Sequence, residues 1–150
     1  FLPGGPYANL LAERQVILQI GENVFAHGGV LPEHVAYGID EINSSAQAWL
    51  RGEADLPSVL SGSNSPQWTR LYSDDPDSAA CSVLEEALNA LQAKRIVVGH
   101  TIQESGIASA CGRQAWRVDI GMAEYYATRT EYGGSVAVLE IIGDSVRVLN

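Results

Sequence analysis

Two histidines lie at the ends of apolar runs that have the composition of buried strands. Residues 24–29 have the sequence VFAHGG and residues 95–101 have the sequence RIVVGHT, and these segments contain His27 and His100. A side chain at the carboxyl end of a buried strand can face a cleft, and imidazole is a ligand for first-row divalent metals. The repeated pattern predicts a metal site, with a purely structural role as the alternative for each histidine. Two imidazoles supply only part of such a site, because a metal ion usually takes four or more ligands.

A single arginine lies in a long loop between two aromatic residues. Arg70 follows Trp68 and precedes Tyr72 in a segment rich in Ser, Pro, Asn and Asp. Its guanidinium would either stack against these rings or, where the loop faces a metal cleft, bind a phosphate through two parallel hydrogen bonds. The local sequence leaves both interpretations open.

Two further ionisable residues have ordinary alternatives. Asp119 lies inside an apolar run at residues 115–120, and a buried carboxylate needs a partner. It would therefore either orient a neighbouring functional side chain from the second coordination sphere or face solvent on one side of the strand. His34 follows Pro32 at a predicted helix start, and we expect it to be a surface or capping histidine.

The composition excludes several classes of function. Eighteen acidic residues against nine basic ones give a net charge of −9, and Lys94 is the only lysine. Binding of nucleic acid depends on clustered basic residues, so neither nucleic acid nor an anionic membrane is an expected partner. No apolar run is long enough to predict a membrane-spanning helix. The nucleophile elbow, the dinucleotide-binding and phosphate-binding glycine loops and the Cys-x-x-Cys motif are all missing from the sequence.

The cysteine content does not indicate a disulfide scaffold. Cys81 and Cys111 are the only two cysteines, too few to staple a small fold. Cys81 falls in an apolar helical pattern and is expected to be a small buried residue. A bridge between the two cysteines remains the alternative.

The elements expected to position these residues include both helices and pairs of strands, which predicts a single layered α/β domain over residues 1–150 with a mixed sheet. The chain does not begin with Met, so we expect a processed form or a fragment. In order, the patterns predict an opening loop at 1–9, strands at 15–20 and 24–26, helices from 32 and at about 38–50, an irregular segment at 53–77, a helix from about 78 to 94, strands at 95–98 and 115–120, and a closing hairpin at 136–149.

Four motifs together resemble the carboxyl-terminal half of a phosphoprotein phosphatase. They are FAHGGVLP at 25–32, SPQWTR at 65–70, VVGHT at 97–101 and RVDIGM at 117–122. This is the metal-dependent, calcineurin-like metallophosphoesterase family, and the motifs are most similar to those of the Shewanella-like protein phosphatases. The resemblance runs over nearly the whole chain.

The resemblance implies half of a β-sandwich flanked by helices and a site for two divalent metal ions, either manganese or an iron–zinc pair. His27 and His100 would both bind the second metal, and Arg70 would contact the phosphoryl oxygens of the substrate. The substrate would be a phosphorylated protein or a small phosphomonoester. The implied location is intracellular, in the cytoplasm or in an organelle such as the chloroplast.

The family motifs Gly-Asp-x-His-Gly, Gly-Asp-x-x-Asp-Arg-Gly and Gly-Asn-His-Glu do not occur in this sequence. In the family they supply the first metal's ligands, and we therefore expect the metal site of this chain alone to be incomplete or empty. One hypothesis is that a missing amino-terminal half completes a phosphatase. The other is an inactive remnant that serves as a structural subunit, with a partner protein covering its open sheet.

Overall fold

The computed structural model describes residues 2–129 and 136–150, so Phe1 of the predicted opening loop lies outside the described residues. The chain contains both helices and strands. The helices are α1 (Pro6–Leu11), α2 (Pro32–Tyr37), α3 (Ile39–Leu50), α4 (Ser78–Ala90) and α5 (Glu124–Arg129). The strands are β1 (Ile17–Ile20), β2 (Asn23–Ala26), β3 (Arg95–Val98), β4 (Ala108–Ala110), β5 (Ala115–Arg117), β6 (Val138–Ile142) and β7 (Ser145–Leu149).

The main sheet is mixed, as the sequence predicts. Its five strands lie in the order β1-β2-β3-β5-β4, and β6 and β7 form a separate two-stranded sheet. The central strands β2, β3 and β5 are parallel, whereas the edge strands β1 and β4 pair antiparallel. Because Ala26 of β2 lies opposite Val98 of β3, these two strands end side by side.

The core forms between the sheet and the helices. All four residues of β3 are buried, which agrees with the continuous apolar run that predicted a strand inside a covered sheet. Side chains from α3 and α4 pack against those of the central strands. The buried members of this cluster include Ile17, Val24, Ile42, Ala46, Leu84, Leu88, Ile96, Val98 and Ala115.

The structure corrects three sequence-based expectations about local structure. The opening segment is not all loop, because Pro6 begins α1, a position that suits its fixed backbone angle. The strand predicted at 115–120 is shorter and ends at Arg117, and beyond it the Asp119 carbonyl accepts a hydrogen bond from the amide of Gln103 (2.8 Å). A short strand, β4, lies in the predicted connection at 105–112.

The two cysteines are paired, so the alternative of a bridge is confirmed and the expectation that Cys81 is simply a small buried residue is wrong. Cys81 in the first turn of α4 forms a disulfide with Cys111, and their Cα atoms are 5.1 Å apart. Asp77 caps the same turn, since its carboxylate accepts a hydrogen bond from the amide of Ala80 (2.8 Å). The start of α4 is therefore fixed both covalently and by its cap.

The closing hairpin is attached to the main sheet at its turn. Arg95 is buried, and its guanidinium donates to the side chain of Asn23 (3.1 Å) and to the carbonyl of Gly143 (3.2 Å). Lys94 pairs with Asp144 in the same turn (2.7 Å) and with Glu22 (2.8 Å). Within the described ranges, no helix is both long and apolar enough to cross a bilayer.

Candidate active site

His27 and His100 meet at the carboxyl ends of two neighbouring parallel strands. Nε2 of His27 lies 3.0 Å from Nδ1 of His100, although the two residues are 73 positions apart in the chain. The amide of Gly99 donates to the carbonyl of His27 (2.9 Å) and continues the ladder between β2 and β3 by one bond. The predicted convergence of the two imidazoles at one edge of the sheet is thus observed.

The backbone at His100 is strained. Its φ angle is +67°, in the left-handed region that a residue with a Cβ atom enters at an energetic cost. The amide of Thr101 donates to the carbonyl of Gly99 (2.8 Å), which closes a tight turn around His100. This turn directs the imidazole towards His27 at the point where the strand ends.

The loop that contains Arg70 is held against the glycines after His27. Both Gly28 and Gly29 donate their amides to the carbonyl of Pro66, at 2.8 and 3.0 Å. A Cβ atom on Gly28 would lie only 2.7 Å from the carbonyl oxygen of Thr69 and 2.9 Å from that of Pro66. The close approach of the two backbones therefore requires glycine at position 28.

Arg70 lies beside the histidine pair and is positioned by two hydrogen bonds. Its NH1 donates to the carbonyl of His100 (2.8 Å) and to Oγ1 of Thr101 (2.7 Å). The Thr101 hydroxyl is itself hydrogen-bonded to the hydroxyl of Ser73 (2.8 Å). A guanidinium has five donor hydrogens, so its fixation through NH1 leaves other donors for a ligand at the exposed side.

The two aromatic residues around Arg70 differ in their environment. Tyr72 is fully buried, and its hydroxyl donates to the carbonyl of Val30 (3.0 Å). Trp68 is 61% exposed, and its ring contacts that of His100 edge to face, with 5.4 Å between centroids. Tyr72 therefore anchors the loop in the core, whereas Trp68 forms part of the surface of the site.

The environment of the site favours a neutral His100. Burial lowers the pKa of this imidazole, and the positive charges of Arg70 and of a protonated His27 lower it further. Its Nε2 atom is buried and has no hydrogen-bond partner among the described residues. A neutral imidazole is the form that binds a metal ion, so the direction of this shift is compatible with a ligand role for His100.

The geometry of the pair fits one metal ion. Two nitrogen ligands at about 2.1 Å from the same ion are about 3.0 Å apart when they subtend about 90° at it, and the observed separation is 3.0 Å. In the part of the chain that the structure describes, no three His, Cys, Asp or Glu side chains are grouped so that they would hold a metal. The separation of the two histidines is thus compatible with one shared metal ion, for which the described residues bring together two ligands.

The other predicted residues lie in different settings. Asp119 is half-buried near Gly99, and its Oδ1 accepts a hydrogen bond from the amide of Gly121 (3.1 Å). Its proposed role in orienting a histidine stays a prediction. His34 is buried, so the expectation of a surface histidine is wrong. Its Nδ1 accepts a hydrogen bond from the amide of Leu31 (3.0 Å) and caps α2, as the capping alternative predicts.

Sequence reasoning missed three polar residues next to the site. Thr101 and Ser73 hold Arg70, and the side-chain amide of Gln103 donates to the carbonyls of Ser73 (3.0 Å) and Thr101 (2.8 Å). The only indication in the sequence that Thr101 and Gln103 lie near the site was that they follow within three residues of His100. The sequence gave no indication of the role of Ser73, because its hydrogen-bond partner Thr101 lies 28 positions further along the chain.

The chain is similar to known protein phosphatases. The Shewanella-like protein phosphatase 2 of Arabidopsis thaliana is 38% identical over 154 aligned residues, which cover 98% of this chain and 38% of that protein. The crystal structure of a cold-active protein tyrosine phosphatase is 26% identical, covers 73% of this chain and 34% of its own, and has a TM-score of 0.63. No protein-family model matches the chain.

A second solved structure shows the same fold. The cold-active protein tyrosine phosphatase of a psychrophilic Shewanella species covers 92% of this chain and 41% of its own, with a TM-score of 0.71 and 22% identity. The chain therefore spans about two fifths of the length of these proteins. The predicted resemblance to the Shewanella-like protein phosphatases and the predicted mixed α/β fold are confirmed.

Proposed function

Because the chain is similar over nearly its whole length to a Shewanella-like protein phosphatase, we propose that it is the carboxyl-terminal part of a metal-dependent phosphomonoester hydrolase. Its substrate would be a phosphorylated protein or a small phosphomonoester. The observation that carries the proposal is the 3.0 Å approach of His27 Nε2 and His100 Nδ1 beside the guanidinium of Arg70. This arrangement combines two metal ligands with a phosphate-binding cation.

Each residue of the site has a definite chemical task. His27 and His100 would present ring nitrogens to one divalent ion, either manganese or a member of an iron–zinc pair. When bound, such ions act as Lewis acids that stabilise the charge of a transferring phosphoryl group. Arg70 binds the phosphoryl oxygens through donors that its contacts to His100 and Thr101 leave available. Holding the guanidinium in place before the substrate arrives reduces the cost of ordering it.

The proposal requires more metal ligands than the described residues bring together at the site. Two imidazoles leave most of the coordination positions of a metal ion open, and a dinuclear centre needs a second set of ligands. We propose that an amino-terminal half, which the resemblance implies, supplies them. The metal-dependent activity would then belong to the complete protein.

A second candidate function is that of an inactive structural subunit. Its support is the apolar surface exposed on the edge strand β1, where Leu18 and Ile20 are 39% and 58% exposed. The hairpin of β6 and β7 also exposes Val138 and Ile142, at 57% and 65%. Apolar strand edges of this kind are usually covered by another segment or by a partner.

Hydrolysis of phosphopeptides by the full-length protein tests the proposal. We expect manganese-dependent release of phosphate, and we expect Arg70→Ala to lower kcat/KM about 100-fold, as losses of a charge-stabilising donor do. Leu56→Ala, at a surface position that is 45% exposed, is the control and should leave kcat/KM unchanged. An active enzyme in which Arg70→Ala has no effect would exclude the phosphate-binding role, and a full-length protein without any activity would favour the structural subunit.

A further inference from the structure

The side chain of Gln103 connects two loops of the candidate site. Its Nε2 donates to the carbonyl of Ser73 at 3.0 Å and to the carbonyl of Thr101 at 2.8 Å. Ser73 belongs to the loop that contains Arg70, and Thr101 directly follows His100. A side-chain amide has two donor hydrogens, so these two carbonyls engage both of them. Gln103 therefore links the loops and has no amide hydrogen left for a ligand.

The backbone of Gln103 is bonded to a third segment. Its amide donates to the carbonyl of Asp119 (2.8 Å), and its own carbonyl accepts a hydrogen bond from the amide of Gly106 (3.2 Å). Asp119 follows β5, which is a parallel neighbour of β3 in the main sheet. Gln103 thus joins the loop that contains Arg70 to the segments that follow two of the central strands.

The turn that Gln103 holds carries the two acceptors of the Arg70 NH1 group. NH1 donates to the carbonyl of His100 (2.8 Å) and to the hydroxyl of Thr101 (2.7 Å). The backbone of His100 has a φ angle of +67°, and a residue other than glycine keeps such a conformation only where the surrounding structure imposes it. The bond from Gln103 to the carbonyl of Thr101 is one of the contacts that impose it.

We propose that Gln103 is a positioning residue that acts on the substrate through Arg70. The inference rests on the proposed function, since Arg70 is the phosphate-binding group of the same site. Gln103 fixes the backbone on both sides of the hydrogen bond between the hydroxyls of Ser73 and Thr101 (2.8 Å), and the Thr101 hydroxyl receives the guanidinium. Without the amide of Gln103 the two loops lose this connection, and the guanidinium is held less firmly when the substrate arrives.

A second connection between the same segments is weaker than that of Gln103. The guanidinium of Arg117 pairs with Asp75 at 3.2 Å, but the side chain of Asp75 is 98% exposed. Ion pairs exposed to this degree contribute little, because water and salt screen them. The two bonds of Gln103 are partly buried, and a buried carbonyl that loses its donor pays the cost of its desolvation. The position of the loop that follows Arg70 therefore depends more on Gln103 than on the ion pair.

Double-mutant kinetics on the full-length protein test the inference. Gln103→Met keeps an unbranched side chain of similar length but removes both donors, and we expect kcat/KM for phosphopeptide hydrolysis to fall about tenfold. In an Arg70→Ala background the same substitution should lower kcat/KM by less than about twofold, because the group that Gln103 positions is then missing. Gln103→Glu, which places oxygen atoms against the two carbonyls, should behave as Gln103→Met does.

Gln19→Met is the matched control. Nε2 of Gln19 also donates to two backbone carbonyls, those of Gly21 (3.1 Å) and Leu91 (3.0 Å), but Gln19 lies on the edge strand β1. Either methionine substitution removes two hydrogen bonds, whereas only Gln103→Met should lower kcat/KM. The comparison separates the positioning of Arg70 from a general loss of hydrogen bonding.

The outcomes separate this inference from the proposed function. In an active wild type, an unchanged kcat/KM after both substitutions of Gln103 would overturn the role of Gln103 alone. An equal factor of loss with and without Arg70 would also overturn it, because Gln103 would then act on the site by another route. A wild type that hydrolyses no phosphoester would refute the proposed function, and the positioning role with it.

Discussion

Nε2 of His27 lies 3.0 Å from Nδ1 of His100. The two rings are inclined at 64° with their centroids 4.8 Å apart. At this distance the two nitrogens either share one proton or bind one metal ion, because two protonated imidazoles would repel each other.

Metal content should depend on both histidines. We predict that the full-length protein binds manganese or zinc and that His27→Ala and His100→Ala each reduce the bound metal, because either change removes one of two adjacent nitrogen ligands. Elemental analysis after dialysis, without any activity assay, measures this. His34→Gln is the matched control, since it replaces the third histidine outside the site. Metal content that is unaffected by the first two substitutions would contradict the ligand assignment.

The hydroxyl of Thr101 should matter for activity although it is not proposed to touch the substrate. Thr101→Val keeps the shape of the side chain but removes the acceptor of the 2.7 Å bond from Arg70. We expect kcat/KM to fall by about tenfold, the value of one hydrogen bond to a charged group. Thr101→Ser keeps the hydroxyl and should restore most of the activity. Equal kinetics for the valine and serine variants would show that the bond does not position Arg70.

Two glycines near the site should respond differently to substitution. Gly28→Ala would place a Cβ atom 2.7 Å from a backbone oxygen, and we expect it to reduce the free energy of unfolding by about 1–3 kcal/mol. At Gly99 the nearest atom would be 3.7 Å away, an ordinary contact, so Gly99→Ala should cost much less. Urea denaturation of both variants measures the difference. Similar losses at the two positions would argue against the close backbone packing at Gly28.

Stability should decrease in mild acid because of His34. Burial lowers the pKa of His34 below its ordinary value of 6.5, so the unfolded chain binds a proton at a higher pH than the folded one. Neutral His34 therefore contributes its full stabilisation above about pH 6.5. This stabilisation is lost as the pH falls from 6.5 through the pKa that His34 has in the folded chain. Protonation of Nδ1 would also break the bond from the amide of Leu31.

Urea midpoints at pH 7.5 and pH 5.5 test this effect. The decrease between the two values should be smaller in His34→Gln than in the wild type. His100, whose pKa is also lowered, contributes in the same direction in both proteins and cancels in the comparison. An identical pH dependence in the two proteins would rule out His34 as a source.

The disulfide should contribute measurably to stability. Cys81 and Cys111 close a loop of 30 residues, for which the chain-entropy model gives about 3–4 kcal/mol. Urea unfolding with and without a thiol reductant should show this loss, and the double variant Cys81→Ser/Cys111→Ser should be insensitive to the reductant. A wild type whose unfolding does not change on reduction would indicate that the bridge is not formed in solution.

The local sequence was enough to place the residues that lie at the ends of elements. The β-branched run before Gly99 predicted a buried strand, and the run before His27 predicted another, because continuous apolar side chains suit strands covered on both faces. The helix predicted from about residue 78 does begin at Ser78, where Asp77 caps it through its carboxylate. These features depend on neighbouring residues only, and a sequence shows neighbouring residues directly.

Contacts between distant segments were decided by the tertiary structure. That β2 and β3 are parallel neighbours, that Ser73 and Thr101 hold Arg70, and that Cys81 pairs with Cys111 all depend on which segments pack together. Such packing is selected by the total free energy of burying the core, to which residues throughout the chain contribute. The sequence by itself therefore determined which groups are available for chemistry, and the packing of the sheet brought His27 and His100 to one place.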